Sequence, residues 1–169
     1  MLHFNSRGLL VPNQNIKSSK EEFYEQFVQM ISSEMRNDLF IKFKQYSEDL
    51  AKQTKIMNPL QWIDGSFTTK ELHPNDIDLV TFIPYDIVDK LGNNLNPYKY
   101  PESIENYGLD GYIVRVYPQG HDSYGLYAGD RSYWMDHFTK TKISRRGKKF
   151  PKGFLEIGTE TYQTKNEQF

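Results

Sequence analysis

The chain has 169 residues, no cysteine, 21 Lys and Arg against 22 Asp and Glu, and a net charge of −1. The lack of Cys excludes disulfides, thiolate metal sites and Cys nucleophiles. The near-neutral charge argues against a general nucleic-acid binder. The length predicts one domain over residues 1–157 with a polar tail over 158–169, and twelve Tyr and eleven Phe give that domain the apolar area for a core.

Residues 1–17 hold Gly8, Pro12 and several Asn, and are expected to be an extended, turning lead-in. Residues 19–55 are expected to be helical. Ser18 with Glu21, or Ser19 with Glu22, forms a capping box. Phe23, Phe27, Met30, Ile31 and Met35 then recur at helical spacing to residue 35. Leu39, Phe43, Tyr46 and Leu50 continue the period to about Lys55, with Asn37-Asp38 as a possible break. Asn58-Pro59 ends the helix. LQWI at 60–63 reads as a short strand ending at Asp64-Gly65, residues 66–71 as a turn or short helix, and HPND at 73–76 as a turn. IDLVTFI at 77–83 is β-branched and apolar on nearly both faces, the pattern of a central strand. A short helix follows over 85–91, then a loop through NNLNPYKYP. GYIVRVY at 111–117 is a third strand, 118–130 a Gly-containing loop, RSYWMDHFTK a helix, and GFLEI at 153–157 a fourth strand. The order predicts an α/β (α+β) fold: a small mixed sheet flanked by helices and preceded by a helical segment. No apolar run approaches the roughly 18–20 residues that span a bilayer. The opening residues carry no basic-then-apolar pattern, so no secretory signal is expected and a cytoplasmic location is.

The informative segment is QWIDGSFTTKELHPNDIDLVTFIP, residues 61–84. Strand alternation points Asp76 and Asp78 to one face, about 6–7 Å apart, and Ile77, Leu79 and Ile83 into a core on the other. Two close carboxylates raise each other's pKa, and Mg²⁺ (or Mn²⁺) relieves the repulsion through oxygen ligands. Gly65 lets backbone approach a ligand closely, and Ser66 offers a hydroxyl and a backbone N–H to phosphate oxygens. Lys70 adds a positive charge one helical turn on. These parts describe a metal–triphosphate site. Alone, Asp-x-Asp after Pro-Asn is commonly a surface turn; its information lies in the strand, Gly-Ser, nine residues, Asp-x-Asp, strand sequence. Between Lys140 and Lys152 stand seven basic residues and no acidic one, a pattern of a solvated face more often than of a contact with triphosphate, RNA or an acidic partner. Trp62 and Trp134 are expected in the core.

This Gly-Ser followed by Asp-x-Asp resembles the nucleotidyltransferase superfamily signature. FNSRGLLVP at 4–12, the helix around EEFYEQFV, GSFTTKELHPNDIDLV at 65–80 and KGFLEI at 152–157 resemble a small bacterial and phage family of nucleotidyltransferase-like proteins, DUF6932. The resemblance implies a nucleotidyltransferase-like fold and transfer of a nucleoside monophosphate from an NTP, with ATP as first candidate, to a hydroxyl of a protein or RNA acceptor. A toxin–antitoxin or phage-defence setting with a protein partner fits that implication. It also implies a third carboxylate on a neighbouring strand, for which Asp110 is the choice, with Asp76, Asp78 and Asp110 as metal ligands and catalytic residues. Gly65, Ser66 and Lys70 then bind nucleotide. The alternative is a binding or regulatory module that keeps the fold without turnover.

Overall fold

The structure, a computed structural model, describes residues 1–160. Two short strands, β1 (His3–Phe4) and β2 (Leu10–Val11), pair antiparallel around a turn at Asn5–Gly8. The main sheet has five strands in the order β3 (Asn15–Lys17), β7 (Phe154–Ile157), β4 (Gln61–Asp64), β5 (Ile77–Pro84), β6 (Leu109–Val116). β3 runs parallel to β7, β4 antiparallel to both β7 and β5, and β5 parallel to β6. The helices are α1 (Lys20–Tyr24), α2 (Glu34–Thr54), α3 (Tyr85–Leu91), α4 (Glu102–Tyr107) and α5 (Tyr124–Phe138). This is the expected open mixed sheet flanked by helices. None of the described helices is long and apolar enough to cross a membrane.

The N-terminal helical region departs from expectation. Ser19 caps α1 by accepting from the Glu22 amide at 3.0 Å. The helix does not run on to residue 35: it widens into a π-turn over Glu25–Gln29 and stops at Met30. Ser33 caps a new helix, so Asn37 and Asp38 lie inside α2 and the break falls at 30–33. The cause is Arg36, a fully buried side chain. Its guanidinium donates to the carbonyls of Phe27 at 3.1 Å and Phe67 at 2.7 Å, and to those of Thr69 and Glu71. A buried cation needs its donors paired, and these four carbonyls tie the π-turn and α2 to the loop after Gly65. Burial lowers the Arg36 pKa to about 10, with Glu71 opposing the shift.

Three further expectations change. The segment over NNLNPYKYP is a 3₁₀ helix, Gly92–Tyr98, which buries Leu95 and Tyr98 three residues apart, the 3₁₀ repeat. α4 follows it and ends at Gly108, whose φ of 66° suits glycine. The loop after β6 ends at Ser123, because α5 already starts at Tyr124 and carries Gly125 and Gly129 on faces where a Cβ would meet open space.

Strand alternation divides the core. Ile63, Ile77, Leu79, Ile83, Leu109 and Leu155 pack with Phe23, Phe40, Phe43 and Tyr46 on the α2 side. Trp62, Val80, Phe82, Val114 and Phe154 pack with Tyr127 and Phe138 of α5 on the other. Each fully buried Phe or Leu side chain favours the fold by about 1.5–3 kcal/mol. Two such clusters can carry the unfavourable charge burial that the α5 face contains.

Candidate active site

On the α5 face the alternation that buries Trp62, Val80 and Val114 also places Asp64, Asp78 and Asp110. Registration sets them side by side: Asp64 of β4 opposes Asp78 of β5, and Asp78 opposes Asp110 of β6. Neighbouring strands lie about 4.8 Å apart, so three carboxylates form a row across the sheet. Asp76, immediately before β5, is half-buried and acts electrostatically on Asp78. The sequence pair is thus found together, and Asp110 lies beside Asp78 on the neighbouring strand. Asp110 Oδ1 is buried with no hydrogen-bond partner among the described residues.

The electrostatics follow from burial and crowding. Burial pushes Asp78 up to about 7; Lys142 opposes this, while Asp76, Asp64 and Asp110 add to it. Asp76 is raised as well, by burial first and also by Asp110, with Lys142 again opposing. Asp64 is raised to about 6 by burial, against the opposing pull of Lys152 and, more weakly, of the Gly65 amide and Lys142. Lys152 is itself buried, and its ammonium donates to Asp64.

A cleft of about 750 Å³ opens over Asp64, Asp76 and Asp78, lined also by Gly65 and Ser66 and by Lys140, Lys142, Lys149 and Lys152; Asp110 lies on the next strand, outside its lining. Gly65 has φ 86°, which glycine alone adopts without strain. A Cβ there would overlap Asp78 Oδ2 and lie 3.0 Å from Asp78 Cγ. Glycine is therefore required for the loop to pass the carboxylate. Ser66 is exposed at the start of a 3₁₀ turn, Ser66–Thr68, and its carbonyl accepts from the Thr69 hydroxyl at 2.6 Å.

Lys70 is not brought to the site. Its ammonium sits 4.1 Å from the Phe4 ring centre and its stem packs at Gly8, outside the cleft lining. Cation–π contact and packing on the first hairpin explain its position better than phosphate binding does. The cations of the cleft come instead from the basic stretch, which folds back on itself. Lys140 bridges Pro151, the Thr141 amide donates to Phe150 O at 2.8 Å, and Ser144–Lys148 forms the turn. One side of this hairpin faces the acid row, while Arg145, Arg146 and Lys148 are exposed near its tip. Sequence reasoning missed Asp64, Lys142 and Lys152. The signal for Asp64 was the alternation Trp62-Asp64 opposite Asp78; for the two lysines there was only charge.

The donor set suits a divalent cation in part. Asp76, Asp78 and Asp110 offer hard oxygen atoms, and Asp110 Oδ1 has no donor among the described residues, while the Asp110 carboxylate lies within hydrogen-bond reach of Tyr112. Among the described residues, no three or more His, Asp or Glu side chains form a ready metal cage. An ion bound here would complete its shell from phosphate and water, as Mg²⁺ commonly does. No curated protein and no solved structure matches the chain. The family described as "Family of unknown function (DUF6932)" matches residues 2–158, and the chain belongs to that family.

Proposed function

We propose that the protein is a divalent-metal-dependent nucleotidyltransferase, moving a nucleoside monophosphate from an NTP to a hydroxyl of a protein or RNA acceptor. The observation that supports it best is that Asp76 and Asp78 share one cleft with Gly65-Ser66 and four lysines, with Asp110 in register beside Asp78. In the reaction the acceptor oxygen bonds the α-phosphorus, the bond from that phosphorus to the bridging oxygen of the β-phosphate breaks, and pyrophosphate leaves. Asp76, Asp78 and Asp110 would hold Mg²⁺, which when bound neutralises charge on the phosphates and the attacking oxygen. Ser66 and the cleft lysines orient the triphosphate and offset its negative charge. Asp110, at the outer end of the row, takes the acceptor's proton. The deciding assay incubates the protein with each α-labelled NTP, Mg²⁺ or Mn²⁺, and a bacterial lysate, and follows label on protein and RNA. Transfer that Asp78→Asn abolishes supports the reading; no label with any NTP refutes it.

A second reading, a binding module without turnover, draws on Lys152 and Lys142, which already give the acid row positive counter-charge. Mg²⁺-dependent NTP affinity with no transfer would favour it.

A further inference from the structure

A second cavity, of about 490 Å³, lies beside β6 on its outer side. Its wall carries three aromatic rings in sequence. Tyr100 and Tyr112 are near-parallel with centroids 6.3 Å apart, and Tyr112 and Trp134 lie 4.5 Å apart. Trp134 is thus half-buried and lines a cavity, not sealed in the core as expected. Glu102 and Asp130 are exposed on the same lining, against one cation, Lys99. Neither carboxylate has an ion pair or hydrogen bond among the described residues. Ring faces attract cations, and carboxylates in excess strengthen that attraction while repelling phosphate. The cavity differs from the cleft in its aromatic wall and in having a single lysine, where the cleft has Lys140, Lys142, Lys149 and Lys152.

Both cavities are lined in part by α5, and the aromatic one by β6, the strand that carries Asp110. α5 contributes Lys140's neighbours Asp136 and His137 to the cleft, and Asp130 and Trp134 to the aromatic cavity. Tyr112, two residues after Asp110, feels the Asp110 and Asp78 carboxylates. In-line displacement places the attacking and leaving oxygens on opposite sides of phosphorus. With pyrophosphate held by the lysines, the acceptor approaches from the Asp110 side.

We infer that the aromatic cavity of Tyr100, Tyr112 and Trp134, with Glu102 and Asp130, is the acceptor subsite. It takes a polypeptide whose modified hydroxyl stands beside an Arg or Lys side chain. Its role as acceptor subsite rests on the transfer reading above; its preference for a cation stands on its own rings and charges. An RNA acceptor would bring phosphates against Glu102 and Asp130 and is disfavoured.

The test needs no NTP, so its outcome is independent of whether transfer occurs. N-acetyl-argininamide and its uncharged near-isostere N-acetyl-citrullinamide are titrated into the full chain. The Trp134 indole N–H resonance is followed, assigned by its loss in Trp134→Phe. The expected result is saturable binding of the arginine compound, at least fivefold tighter than the citrulline compound. In Glu102→Gln/Asp130→Asn that ratio falls to about one while the rest of the spectrum stays unchanged. Equal binding of the two compounds in the wild type, or a Trp134 shift with adenosine and none with argininamide, overturns the inference. If transfer is active, a Ser-Arg peptide labelled no better than a Ser-citrulline peptide overturns it too.

Discussion

Replacing Asp78 by Asn should stabilise the metal-free protein, and the gain should grow with pH. The folded protein holds the Asp78 proton up to about pH 7, whereas the unfolded chain releases it near the ordinary carboxylate value of 3.8. Between these values the folded state binds the extra proton, so stability falls as pH rises from the lower to the upper. A pKa raised this far corresponds to about 4 kcal/mol at pH 8, of which less than half has already accrued at pH 5. Asn keeps the shape and never ionises. Asp78→Asn should therefore exceed wild type by up to about 4 kcal/mol at pH 8, roughly 10 °C in Tm for a domain of this size. The gain should fall by more than half at pH 5 and to a small fraction at pH 4. Urea unfolding at pH 4, 5, 6.5 and 8 without divalent metal measures it. A variant no more stable than wild type at pH 8, or one whose gain is independent of pH, would refute the account of a repulsive acid row.

Gly65→Ala should cost about 1–3 kcal/mol from its backbone conformation alone, and more from the overlap with Asp78; thermal unfolding of the variant reads this, and an unchanged Tm would mean that the loop is not held against Asp78. Lys152→Met leaves Asp64 buried without its cation and should cost about 3–5 kcal/mol. Asp64→Asn in that background should restore most of the loss, and a chemical-denaturation cycle over the four proteins checks the coupling. Mg²⁺ with ATP at about 100 times its Kd should stabilise wild type by about 2.7 kcal/mol, with a smaller shift in Ser66→Ala and none in Asp78→Asn; a flat thermal response to every NTP and to both Mg²⁺ and Mn²⁺ favours the module without turnover.

The parts of the fold legible in the sequence are those set by local pattern. β5 declares itself through eight residues without a break, and its Asp78 reaches the α5 face by simple alternation. Gly65 and Ser66 are linked to it through one antiparallel pair, β4 with β5, so the spacing in sequence carries over into space. Positions fixed by distant chain were not legible. Arg36 interrupts the first helix because carbonyls more than thirty residues away require its guanidinium. Lys152 reaches Asp64 across 88 positions of sequence, and nothing local distinguishes it from the six other basic residues of its run. Asp64 followed by Gly65 matches turn chemistry so well that its burial was hidden. Lys70 was misplaced for the opposite reason: helical spacing put it near Ser66, but the 3₁₀ turn ends at Thr68 and sends it toward Phe4.

The acid row itself separates structure from function. Asp64 has a buried ammonium partner, and such a pair is commonly no more stabilising than apolar residues of the same size; it fixes the basic hairpin over the cleft. Asp78 and Asp110 have no such partner among the described residues. Asp78 is held in an environment that resists its charge, and Asp110 keeps a buried oxygen without a donor. Apolar residues at those two positions would continue the pattern of Val80, Phe82, Val114 and Val116 and would stabilise the sheet. The alternation that otherwise buries apolar residues on this face is broken at Asp78, which lines the cleft with Gly65, Ser66 and four lysines, and at Asp110 beside it. A carboxylate held at Asp78, where burial opposes its charge, is the reason the proposed reading places a cation there.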